Sequence, residues 1–153
     1  MKKTLLTLGL ALTVAGCSGT RPELGIVDSQ LRPCPPSPKC LSSFAENDDY
    51  GTSSFYFAGQ SLPAWQALTA LLRDMKRAEI ISQTGTYLHV EFTSPIFRFV
   101  DDVEFLLDPK ARKIDVRSAS RLGYSDFGVN SRRLKRIHKL FSEQCAVAVR
   151  HEY

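Results

Sequence analysis

Hydrophobic positions recur along this chain with two different periods. From residue 61 to 75, Trp65, Leu68, Leu72 and Met75 return every three or four positions, which lays one apolar stripe along a helix with Pro63 in its first turn. After Asn130, a residue suited to cap a helix, Leu134, Ile137, Phe141 and Cys145 form a second stripe. Arg132, Arg133, Lys135, Arg136 and Lys139 take the opposite side. Between the helices the period drops to two. Residues 79–83, 87–93, 97–108 and 114–122 read as strands, and in the second of these Leu88, Val90 and Phe92 alternate with Tyr87, His89 and Glu91. A short β-favouring run, Phe55-Tyr56-Phe57, precedes the first helix and is set off from it by Gly59. The predicted order is strand, helix, four-strand meander, helix. That is an α+β domain with a four- to five-stranded, mainly antiparallel sheet and two helices packed on one face.

Register follows from the same alternation. Residues 109–112 after Asp108 suit a four-residue hairpin loop with Pro109 opening the turn. If the apolar faces are to coincide, Leu107 must oppose Ile114, because a slip of one residue would turn every side chain over. Phe105 then lies by Val116, Val103 by Ser118, Asp101 by Ser120 and Glu104 by Arg117.

This register changes how the charges of residues 97–130 read. Asp101, Asp102 and Glu104 resemble a metal cluster on paper, yet alternation puts Asp102 and Glu104 on one face and Asp101 on the other. Hard-cation sites need several converging oxygens, so no metal is expected. Glu104 opposite Arg117, with Asp102 diagonal to it, makes an ion-pair face, and each such pair contributes about 0.2–1 kcal/mol. Asp101 points toward the core, where a carboxylate without donors would be costly. It is expected to accept hydrogen bonds from Ser120 and from amides of the 123–128 loop and so, with Asp126 and Asn130, to anchor that loop. Arg117 and Arg121 share a face, and Arg132 opens the last helix; the three form a candidate anion or ligand face for phosphate, carboxylate or a lipid headgroup. The simpler expectation is that they pair with Glu104, Asp102 and Asp126.

No catalytic residue and no cofactor is expected. Gly123-Tyr-Ser-Asp-Phe-Gly128 misses the spacing of a nucleophile elbow, and His89, His138 and His151 are scattered, each read as a surface or partly packed histidine. The Trp and Met stripe of the first helix reads as packing against the core, not as the lining of a ligand cavity.

The N-terminus alters the composition. Lys2 and Lys3 precede an apolar run at residues 5–14, too short to span a bilayer as a permanent helix, and Val14-Ala15-Gly16-Cys17 follows where cleavage would fall. These four residues resemble the lipobox of bacterial lipoprotein signal peptides, which implies removal of residues 1–16 and diacylation of Cys17, with palmitate among the acyl chains. Loss of Lys2 and Lys3 turns 20 basic against 16 acidic residues into 18 against 16, so net charge gives no case for nucleic-acid binding. Ser18, not Asp, after the cysteine resembles the outer-membrane address of a two-membrane cell, with the domain facing the periplasm.

Residues 17–33 read as a tether and 34–153 as a single domain beginning with a Pro/Cys loop. In that loop, Cys34-Pro-Pro-Ser-Pro-Lys-Cys40 most simply closes as a disulfide outside the cytoplasm. Polyproline extension would separate its ends by roughly 19 Å, whereas a disulfide needs Cα atoms about 4.4–6.8 Å apart. The loop must turn back, and a cis proline is one route. A bridge from either cysteine to Cys145 stays open, with Cys145 otherwise a small buried residue on its helix.

Three ordered motifs carry a family resemblance: Cys34-Pro-Pro-Ser-Pro-Lys-Cys-Leu-Ser-Ser43, Phe99-Val-Asp-Asp-Val-Glu-Phe105, and Val116-Arg-Ser-Ala-Ser-Arg-Leu-Gly-Tyr-Ser-Asp-Phe-Gly-Val-Asn130. The chain after the tether resembles the family known as domain of unknown function 1499. Lys39 stands where Asn is usual there, and Cys145 is not a family feature. The resemblance implies no activity. The expectation is a lipid-anchored binding or structural module of the cell envelope, attached to membrane through its N-terminal lipid; the alternative is an enzyme acting on an anionic envelope metabolite or lipid headgroup.

Overall fold

A computed structural model of the chain describes residues 19–46 and 48–150. Residues 1–18, with the expected lipidation of Cys17, and His151 lie outside the described residues. In chain order the elements are β1 (Ile26–Val27), β2 (Gln30–Leu31), β3 (Cys40–Ser42), a 3-10 turn at Asp48–Tyr50, β4 (Phe55–Tyr56) and α1 (Ser61–Asp74). They continue as β5 (Ala78–Gln83), β6 (Tyr87–Thr93), β7 (Val100–Asp108), β8 (Lys113–Ser120) and α2 (Val129–Arg150).

The fold is α+β, with an antiparallel sheet in the order β3-β8-β7-β6-β5. Six strands take part where four to five were expected, because β3 and β4 share the outer edge of β8. Cys40 pairs with Ala119 at one end of that edge and Phe55 with Ile114 at the other. The central register puts Leu107 against Ile114, Phe105 against Val116 and Glu104 against Arg117. Both helices lie on one face, where Leu68 and Leu72 of α1 and Leu134, Ile137 and Phe141 of α2 meet Val90, Val103, Phe105, Ile114 and Val116. Each such side chain contributes about 1.5–3 kcal/mol when fully buried.

Element ends differ from the periodic pattern where backbone chemistry intervenes. β7 begins at Val100 instead of residue 97, because Ser94 and Phe99 close the 94–99 hairpin loop through both a backbone bond (2.8 Å) and the Ser94 hydroxyl (2.8 Å). Arg98 there takes a positive φ of 55°. The turn at 109–112 is held by Asp108, whose carboxylate accepts the amides of Lys110 (3.0 Å) and Ala111 (2.9 Å). α2 is capped by Asp126, which accepts the amides of Gly128 (3.0 Å) and Asn130 (2.7 Å). Asn130, expected as the cap, is instead fully buried inside the helix.

The 34–40 loop turns back through a bond from the Cys40 amide to the Ser37 carbonyl (3.2 Å), which brings the cysteine Cα atoms to 5.7 Å within a Cys34–Cys40 disulfide. No cis peptide occurs among the described residues. Cys145 is a free, half-buried thiol against the core, and burial raises its pKa.

The largest departure concerns residues 17–33. From residue 19 onward this segment is not a free tether: β1 and β2 form a two-stranded hairpin, and Leu31 is 2% exposed. The segment lies across the face of the sheet away from the helices, where it forms a strap over β6, β7 and β8. Composition misled here, because a chain without periodicity can still be ordered by bonds to distant residues.

Candidate functional site

Alternation that sends Leu88, Val90 and Phe92 inward sends Tyr87, His89 and Glu91 to the opposite face of β6. On β7 and β8 the same face receives Asp102, Glu104, Asp115, Arg117 and Ala119. Strand pairing lines these into rows, Glu91 by Asp102 by Ala119 and His89 by Glu104 by Arg117, and Arg121 follows just beyond the end of β8. An antiparallel sheet commonly leaves such a face in water. Here the strap closes it, so that Asp102 and Glu104 are 0% exposed and Arg117 is 5%.

Charges this deep persist only when paired and hydrogen-bonded. Arg121 grips Asp102 through two bonds, Nε to Oδ2 at 2.8 Å and a terminal nitrogen to Oδ1 at 2.7 Å, and also bonds Glu91. His89 Nε2 lies 2.8 Å from Asp102 Oδ1. A carboxylate only accepts, so that ring nitrogen carries the proton. Burial alone would raise the pKa of Asp102, but the bonds from Arg121 and His89 outweigh it and hold the group below the usual carboxylate range. Glu91 is lowered in the same way: burial opposes, and Arg121 and Arg21 prevail. The bond to Asp102 in turn raises the pKa of Arg121.

Glu104 is shared three ways. Arg117 donates to Oε2 at 2.9 Å, while Tyr87 Oη at 2.8 Å and the Gly25 amide at 2.7 Å donate to Oε1. Burial, then the neighbouring Glu104, pushes the Tyr87 phenol well above its usual pKa, so it stays a donor. Gly25 has φ 108°, a conformation left to glycine, and in it the strap turns its N–H onto the carboxylate. Arg21, also from the strap, donates to Glu91 at 2.7 Å. Three carboxylates, Glu91, Asp102 and Glu104, thus meet three guanidinium groups, Arg21, Arg117 and Arg121.

The anion face expected from Arg117, Arg121 and Arg132 is not an open arginine surface. Arg117 and Arg121 are buried in these pairs, and Arg132 stands apart on α2, donating to the Phe127 carbonyl (2.9 Å). Beside Arg117, Arg121, Lys39 and Thr20 a cleft of about 160 Å³ remains, well under the ~300–1,000 Å³ typical of ligand pockets. The ligand atoms of His89, Glu91 and Asp102 lie within 4.8 Å of one another, but Glu91 and Asp102 hold the Arg121 guanidinium and His89 donates to Asp102. A general acid or base needs a proton-transfer position within a substrate's reach. Asp102 and Glu104 have both oxygens engaged, and the strap lies over them. The arrangement is a clamp between strap and sheet.

The loop-anchoring residues lie together, with one reassignment. Asn130 uses its whole amide: Ser118 and Arg133 donate to its oxygen (2.6 Å each), and its nitrogen donates to the Lys39 carbonyl (3.0 Å) and Ser120 Oγ (3.2 Å). Asp101, expected to bind Ser120 and loop amides, is held by Arg133 of α2. One helical turn separates Asn130 from Arg133, and that spacing is the sequence signal for the missing partner. His89, read as a surface or partly packed residue, belongs to the clamp. Its place with Tyr87 and Glu91 on the polar side of a predicted strand was the available clue.

The family described as Protein of unknown function (DUF1499) matches residues 30–141, and a prokaryotic membrane lipoprotein lipid attachment site matches residues 1–18. No curated protein and no solved structure matches the chain.

Proposed function

Because this chain belongs to the family described as Protein of unknown function (DUF1499) and is a lipid-anchored envelope protein, we propose that it serves there as a binding or structural module and not as an enzyme. The observation that carries this reading is the saturated clamp: Asp102 and Glu104 lie fully buried beneath the strap, and their oxygens already accept bonds from His89, Arg121, Arg117, Tyr87 and Gly25. An anionic substrate would have to displace the strap and break charge-assisted bonds, each roughly twice as strong as a neutral one.

Full-length lipidated protein incubated with a phosphomonoester, a glycerophospholipid and a carboxylate ester is expected to give no turnover. Hydrolysis that Glu104→Gln abolishes would overturn the reading in favour of an enzyme. In a cell with two membranes, Ser18 after the lipidated cysteine supports residence in the outer membrane, facing the periplasm. Density-gradient fractionation should then find Ser18→Asp shifted to the inner membrane; the two proteins in one fraction would refute that address.

A further inference from the structure

We propose that the domain lies directly on the bilayer that holds its anchor, through the edge where the 94–99 and 121–128 loops meet the N-terminal strap. The proposal rests on lipid anchoring and is independent of whether the module reading is right.

Chain length limits the geometry. Cys17 precedes Gly19 by two residues, a reach of at most about 7 Å. Gly19 packs on the sheet end: a Cβ there would sit 3.0 Å from Arg121 Cβ and 3.2 Å from Leu122 Cγ. Arg21 and Gly25 then tie the strap to Glu91 and Glu104. No slack remains to hold the domain away from the lipid.

The sheet gathers both loops at that same end. Thr93 pairs with Val100 and Asp101 with Ser120, and the Arg121 amide donates to the Val100 carbonyl at 3.2 Å. Seven of the eleven large hydrophobic residues exposed among the described residues fall at 96–99 and 122–129, so the exposure is clustered, unlike the single scattered apolar residues of an ordinary surface. Ile96 is 79%, Phe97 69%, Tyr124 83% and Phe127 87% exposed. Phe97 and Phe99 stack at 5.5 Å, which presents a rigid aromatic pair. Arg77 and Arg98 border one cleft at this end, and Arg132 flanks the other loop. Glu79 lines the same cleft as Arg77 and Arg98, so the edge sets three arginines beside its aromatic side chains against that acid, which suits the headgroup layer of an anionic membrane. Of the basic residues in the first turn of α2, Arg132 stands at this edge, and Arg133 is taken by Asp101.

The test uses the full lipidated chain in vesicles of phosphatidylethanolamine and phosphatidylglycerol. Phe97→Cys, Phe127→Cys and Lys110→Cys, each in a Cys145→Ala background, carry an environment-sensitive fluorophore; Lys110 lies in the turn at the far end of the sheet. Matching thermal melts check that the three fold alike. Probes at 97 and 127 should blue-shift and lose intensity to brominated lipid, while the probe at 110 should be quenched only by aqueous iodide. Probes at 97 and 127 as accessible to iodide as 110 would overturn the proposal. Probes shielded from iodide yet unquenched by lipid would also overturn it, placing a protein surface there instead.

Discussion

On one side of the central sheet Val103, Phe105, Ile114 and Val116 meet two regular helices; on the other, Asp102, Glu104 and Arg117 lie as deep beneath an irregular strap. Depth is the same on both sides, and the means of achieving it differ. The apolar side is held by non-directional burial, which tolerates exchanges that conserve volume. The polar side is held by bonds with fixed partners, and removing one partner leaves a buried charge alone. The helices could be replaced by any apolar cover of the right shape, whereas the strap fits because Gly25 and Arg21 present donors where Glu104 and Glu91 need them.

Substitutions can break this contrast in graded steps. Phe105→Ala should cost about 3–5 kcal/mol in urea unfolding, and no second change on the polar side should restore it. Arg117→Met should cost up to about 3–5 kcal/mol by stranding Glu104, and adding Glu104→Gln should recover part of that, since Gln still accepts from Tyr87 and Gly25 without a charge. If the double variant is no more stable than the single, the polar side is not held by charge pairing. Asp101→Ala, which frees Arg133, should lower stability by about 1–3 kcal/mol in the same assay.

Acid sharpens the comparison further. Asp102 and Glu91 titrate below their ordinary range in the folded state, so their contribution is complete above the unfolded values of about 3.9 and 4.3 and is lost as pH falls through and below them. Urea melts from pH 7 to pH 3 should therefore show stability falling in that window. Arg121→Met should flatten the fall, and Phe105→Ala should leave its slope unchanged. The smallest effect belongs to Arg21→Ala at the half-exposed rim of the strap, expected to cost no more than about 1 kcal/mol by thermal melt.

Much of this molecule is written in local pattern. Period-two alternation sorted both faces of β6, β7 and β8 and set the β7–β8 register to the residue, because a slip would have turned Phe105 away from the helices and Glu104 toward them. Period-three-and-four stripes located α1 and α2, and the opposed charges of Glu104 and Arg117 were legible as a pair. The 34–40 disulfide was legible from spacing and compartment, although a bridge to Cys145 competed with it on paper.

Tertiary structure alone decided that the polar face of β7 is buried as well as the apolar one. The strap has two-residue strands and no periodicity, and its key bonds reach residues 70 and 79 positions away, from Arg21 to Glu91 and from Gly25 to Glu104. A segment ordered by such distant partners leaves little local signal, because its stability resides in what it covers and not in its own propensity. The same holds for Asp101, whose partner Arg133 arrives on a helix 32 residues later. What read as an ion-pair face of a hairpin became a buried clamp when the chain that leads to the lipid folded back across it.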